Sequence, residues 1–222
     1  MTSKLETIYQ RLLARFGPQR WWQRQAPLEV LVGTILAQNA SWKNVQQAIE
    51  NLREADMLDI DRLNASSDEE LEELIGPAGH VRLKARRLRN VLAYIVRQHG
   101  GSLEAMFASN PQTLREALLS IKGVGPETAD SIMLYAGKLP TFVVDASTHR
   151  VLARHGWIDF EADYHTIQEY FHAGLPADAQ QFSEFHALLV RVGKEYCRKT
   201  PLCDTCPLCD LLPEGGPLEP QW

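Results

Sequence analysis

The sequence predicts an all-α fold on three observations. Apolar residues recur at helical spacing along most of the chain, helix-start signals stand directly before those stretches, and no convincing stretch alternates apolar with polar residues as a half-buried strand does. Taken in order, Leu5, Ile8, Tyr9, Leu12, Leu13 and Phe16 share one helical face. Pro27 occupies a first helical position, where its missing N–H costs nothing. Val45, Ala48, Ile49 and Leu52 repeat the stripe, and Ser67-x-x-Glu70 reads as a capping box before Leu71, Leu74 and Ile75. Asn110 and Pro111 open a further helix that ends at Leu119, and a second one carries Ala129, Ile132, Met133 and Ala136. Phe182, Phe185, Leu189 and Val192 mark a late helix. Residues 141–144 are the best β candidate, but four residues with no partner strand make no sheet. The last ten residues hold three Pro, two Gly and two Glu and read as an extended tail.

A chain of 222 residues with 45% apolar content can bury a real core. Its longest uncharged apolar run, residues 30–37, is far short of the roughly 20 residues that span a bilayer, so no membrane partner is expected. Lys4, Glu6, Arg11 and Arg15 interrupt any signal-peptide core, which makes a reducing, cytoplasmic location the expectation, nucleoid-associated in a bacterium. The formal charge of -5 is unevenly placed: residues 50–73 hold ten acids and two bases, so the rest of the chain is net positive. Arg82, Lys84, Arg86, Arg87, Arg89 and Arg97 follow with no acid among them, and Arg191, Lys194, Arg198 and Lys199 form a second group. Two such groups suit one polyanion; solvated helix faces are the alternative.

The most informative segment joins two helices through Ile121, Lys122, Gly123, Val124, Gly125 and Pro126. Glycines there permit positive φ and close backbone approach, and backbone amides at the head of the second helix suit a phosphate. A plain helix-helix turn is the other reading. Residues 121–129, together with Val143, Val144 and Asp145, resemble the helix-hairpin-helix and Gly/Pro-Asp signature of the endonuclease III superfamily of DNA glycosylases. Gln38 in residues 31–39, Lys84 and Ala85 closing residues 75–85, and Gly193 and Lys194 before the cysteines stand in the family's order, so the similarity covers about 200 residues.

That resemblance implies a bilobal protein: a helical barrel domain with the hairpin over residues 28–138, and a terminal domain of residues 1–27 and 139–222. It also implies a monomer that binds double-stranded DNA in a cleft and flips a damaged base out of the stack. Asp145 corresponds to the catalytic carboxylate, although it also stands where an N-cap would. Glu127 departs from the pattern, because members that also nick the strand carry there a Lys that forms a Schiff base. The chain therefore reads as a monofunctional glycosylase using water; a bifunctional glycosylase/lyase and a non-catalytic damage binder are the alternatives. Trp21, Trp22 and Trp42 resemble the branch that includes 3-methyladenine DNA glycosylase III, and with Glu127 they are the expected base pocket for a cationic alkylated purine. Gln38 resembles the residue that fills the vacated stack, His80 stands at the position of a wedge, and Arg82, Lys84, Gly123, Val124, Gly125 and Lys194 are the expected backbone contacts.

All four cysteines fall together as Cys197-x5-Cys203-x2-Cys206-x2-Cys209. The family's usual gaps are x6, x2 and x5, so the run is compressed. Three ligands of a [4Fe-4S] cube fit C-x2-C-x2-C, which makes that cluster the expected cofactor, with a tetrahedral Zn site as the alternative.

Overall fold

Caps and apolar stripes lay down the helices where the pattern places them. The computed structural model describes residues 3–22 and 25–220, and no strand occurs among them. The chain folds as two units: Met1–Trp21 with Pro140–Trp222, and Trp22–Leu139.

In the first unit, α1 (Lys4–Phe16) is capped by Ser3, whose hydroxyl accepts the Glu6 N–H at 3.1 Å, and it buries Leu5, Ile8 and Leu12. Three later helices complete the unit: α10 (Ala146–Arg154), α11 (Tyr164–Gly174) and α12 (Ala179–Glu195), with α1 and α10 both packed on α12. Residues 141–144 are buried but form no strand. Side chains take over the hydrogen bonds that a sheet would supply. The Phe142 N–H donates to His172 Nε2 at 2.9 Å, and Gln168 Nε2 donates to the Phe142 carbonyl at 2.7 Å. Phe142 meets Phe182 edge to face with ring centroids 5.6 Å apart, so the segment that delivers Asp145 is locked into an aromatic core. Beyond α12 come two 3-10 turns, Cys203–Thr205 and Cys209–Leu211.

In the second unit, α2 (Pro27–Leu36), α3 (Trp42–Glu54), α4 (Ile60–Ala65) and α5 (Asp68–Leu74) precede a 3-10 turn, Gly76–Ala78, and the long α6 (Val81–His99). Then follow α7 (Leu103–Phe107), α8 (Pro111–Ser120) and α9 (Pro126–Ser131), which runs on as a π-helical turn, Ile132–Ala136. The single second hairpin helix read from sequence is thus α-helix followed by π-helix, closed by the Gly137 N–H to the Ile132 carbonyl at 3.1 Å. The expected starts are present: Ser67 accepts the Glu70 N–H, and Asn110 accepts the N–H groups of Gln112 and Thr113 ahead of Pro111. Arg115 of α8 grips the fully buried Asp130 of α9 through two bonds of 2.7 and 2.9 Å, which fixes the angle of the hairpin.

Candidate active site

Asp145 is the N-cap of α10, and its Oδ1 accepts the Thr148 N–H at 2.7 Å. His186 of α12 brings Nε2 to 3.7 Å from the same oxygen. The approach follows from helix crossing: Gly193 lies seven residues after His186, on the same face of α12, and a Cβ there would come within 2.5 Å of the Ser147 Cβ. The missing side chain lets the head of α10 lie directly on α12. Burial pushes the Asp145 carboxyl up, but the His186 imidazole and the Thr148 N–H outweigh it and hold the carboxyl well below the usual carboxylate range. The Trp21 indole stands perpendicular to His186 with centroids 6.0 Å apart. His186 was not foreseen, although a histidine one residue after Phe185 inside an apolar stripe was a signal. The capping and the catalytic readings of Asp145 are compatible, because the cap leaves the carboxylate charged at a helix N-terminus.

The four cysteines line one pocket, together with Arg154, His155, Tyr196 and Pro217. Burial pushes the Cys206 thiol up to about 11, so this thiol ionises only beside a strong positive charge such as a metal centre. Arg154, only 5% exposed, supplies part of it: Nη1 lies 3.6 Å from Cys197 Sγ. The same guanidinium donates to the carbonyls of Arg198 and Lys199 and pairs with Glu219 at 2.9 Å, while the Leu218 N–H donates to the Arg154 carbonyl. The tail read from the composition is therefore docked at Leu218 and Glu219; its last two residues, Gln221 and Trp222, lie outside the described residues. The donor set fits a tetrathiolate cluster, and among the described residues no three His, Cys, Asp or Glu side chains close on a point for a single ion. Lys194 is exposed at the end of α12.

In the second unit the hairpin turns at Gly123, whose φ of +98° excludes most side chains. Gly125 has φ -96° and needs no such freedom, and Val124 is a buried plug whose N–H is spent on the Ile121 carbonyl at 3.0 Å. Of the expected backbone contacts, Val124 is thus an anchor of the turn. Helix α6 supports the hairpin, with Asn90 donating to the Lys122 carbonyl at 2.9 Å and the Arg87 stem lying against Gly123. Gln38 is tied to this same support: Nε2 donates to Thr128 Oγ1 at 2.8 Å and Oε1 accepts from Arg87. His80 is exposed in the left-handed region, at φ 47° and ψ 39°, directly before α6.

The basic run divides by burial. Arg82 and Arg86 are exposed, whereas Arg89 is spent on Asp68 and on the carbonyls of Leu63, Asn64 and Ser66. Lys84 is the clearest correction: it is 1% exposed, so it cannot reach a phosphate. Glu127 is exposed in the first turn of α9. Trp22 and Trp42 meet edge to face with centroids 4.7 Å apart, and Trp42 is 42% exposed. Gly33 makes room for Trp22, since a Cβ there would lie 2.5 Å from the indole. Trp21 belongs to the other unit, where it packs on His186.

Residues 32–177 match the family model of the HhH-GPD superfamily base excision DNA repair proteins. The chain belongs to that superfamily. A Methanocaldococcus jannaschii protein assigned by name to the DNA repair glycosylases is 48% identical to this superfamily member over 90% of this chain and 92% of its own. Thermotoga maritima endonuclease III is 29% identical over 91% and 89% of the two chains. Among solved structures, Helicobacter pylori 3-methyladenine DNA glycosylase bound to 1,N6-ethenoadenine superposes with a TM-score of 0.73 at 27% identity, covering 85% of this chain and 96% of that one.

Proposed function

We propose that this base excision repair protein is a monofunctional DNA glycosylase that flips an alkylated purine such as 3-methyladenine out of duplex DNA and hydrolyses its N-glycosidic bond. The observation that carries the reading is the Asp145 carboxylate, held ionised at the head of α10 beside His186. Departure of the base leaves positive charge on the sugar, and a fixed anion lowers the energy of that state. A carboxylate so readily ionised is a weak base. Asp145 therefore acts chiefly through its charge and orients the attacking water rather than taking its proton early.

Glu127 supports hydrolysis over strand cleavage, because a carboxylate at the head of α9 cannot form an imine with the opened sugar. The exposed Trp42 face and its Trp22 partner suit a cationic, electron-poor purine, worth about 0.5 to 2 kcal/mol in cation-π attraction. The name of the Helicobacter pylori relative favours the same lesion class. Cys197, Cys203, Cys206 and Cys209 hold a [4Fe-4S] cluster in this reading. Four thiols lining one pocket, three of them in a C-x2-C-x2-C run, support this assignment. When bound, the cluster ties down the loop that carries Arg198 and Lys199.

The test is mass spectrometry of bases released from methylated, oxidised and deaminated duplexes, run beside borohydride trapping on abasic DNA. Release of alkylated purine with an intact strand and no trapped complex is expected. Efficient trapping by the native protein would replace the proposal with a glycosylase/lyase that uses another amine.

A further inference from the structure

We infer that Lys84 is a positioning residue that brackets two loops, the one carrying Gln38 and the one carrying His80, into a fixed relative register; the inference rests on the reading of those loops as the elements that probe a damaged duplex. Lys84 Nζ donates to the Leu36 carbonyl at 2.8 Å and to the Ala78 carbonyl at 2.7 Å. Leu36 is the last residue of α2, two before Gln38, and Ala78 ends the 3-10 turn two residues before His80. Both carbonyls belong to helical ends, where acceptors lack intrahelical donors and the dipole favours a cation. One ammonium thus caps two helical ends at once.

The chemistry explains why a lysine is buried here without a carboxylate. Among the described residues it makes no ion pair, and burial together with the neighbouring Arg87 cation lowers its pKa, so the two carbonyls are what retain it. Three residues along the same face of α6, Arg87 holds the Gln38 side chain. The first turns of α6 therefore fix the loop backbones through Lys84 and the Gln38 side chain through Arg87. A loop that must enter a base stack needs its backbone placed to within a fraction of an ångström, which a flexible surface lysine could not do.

The experiment compares the full-length protein with Lys84→Met, which keeps the stem and removes the ammonium, and with Lys84→Gln, which restores uncharged N–H donors. A Leu63→Ala cavity variant controls for lost stability in the same unit, Leu63 being fully buried in α4. Hydrogen exchange is read at residues 37–41 and 76–81, and affinity is read on an undamaged duplex and on one containing a tetrahydrofuran abasic analogue. In Lys84→Met both loops are expected to exchange about tenfold faster together, and the preference for the abasic duplex to fall about tenfold with undamaged affinity unchanged. Lys84→Gln is expected to recover part of both, whereas Leu63→Ala loosens the unit evenly and keeps the preference. Even loosening in Lys84→Met, or looser loops with an intact preference, would overturn the role of Lys84. Gln38→Ala separates the layers: if that variant also keeps the preference, the probing role of the loops has failed and the proposal falls with it.

Discussion

Replacing Asp145 by Asn separates the two jobs that one side chain holds. Asn keeps an oxygen for the Thr148 N–H, now bonded at 2.7 Å, and Asn and Asp are equally good N-caps, so α10 should start where it does now. What is lost is the charge beside His186 and at the helix N-terminus, a loss of about 1 to 2 kcal/mol of stability, too little to unfold a domain. Base release should suffer far more, because an anion facing a developing cation is worth about 100- to 1,000-fold in rate. The assay is single-turnover release of 3-methyladenine from a methylated duplex, with the thermal midpoint measured alongside. The stability difference should itself depend on pH with a definite sign. Asp145 titrates below its unfolded value of about 3.9, so its contribution is complete above that pH and is lost as pH falls through the lower folded value. Wild type and Asp145→Asn should therefore converge in stability at strongly acid pH. Excision within about threefold of wild type in a folded Asp145→Asn protein would refute the electrostatic role.

Arg115→Ala removes the two-bonded guanidinium from the buried Asp130 carboxylate and should cost about 3 kcal/mol, read as a lowered urea midpoint; a loss under about 1 kcal/mol would show that the pair contributes little to stability. Gly193→Ala drives a methyl into Ser147, so it should lower the thermal midpoint by an amount worth about 1 to 3 kcal/mol and slow base release, and Ser147→Gly in the same chain should restore both. Anaerobically purified protein should be brown with about four iron atoms per chain, and one zinc in a colourless protein would decide for the tetrahedral site.

The helices were legible because their causes are local. Stripes such as Val45, Ala48, Ile49 and Leu52, and the caps at Ser67 and Asn110, need only near neighbours in the chain, and all four stripe residues are buried. The hairpin was legible for the same reason, since Gly123 turns where positive φ is needed. Charge was a poorer guide. Arg82, Lys84 and Arg89 read alike in sequence, yet one faces solvent, one caps two helical ends and one holds the carbonyls at the end of α4. Their fates are set by which face of α6 each occupies and by what packs there. The α-to-π change at Ile132 gave no sign either, because no proline or glycine interrupts residues 127–136.

Asp145 was legible as a residue but not as a state. Its sequence neighbours predict an N-cap, and the resemblance implies a catalytic role, but the depth to which the carboxyl is held below its usual range also reflects a histidine forty-one residues away, acting with the local Thr148 N–H. That contact exists because α10 and α12 cross closely, and the crossing is close because Gly193 has no side chain to hold Ser147 away. His186 and Gly193 thus form one device spaced seven residues apart: the glycine sets the distance between the helices, and the histidine uses it. The pattern is visible in the sequence only once the partner helix is known. A polar residue inside a buried stripe, followed two turns later by glycine on the same face, marks the place where another element comes close enough for a charge to be held.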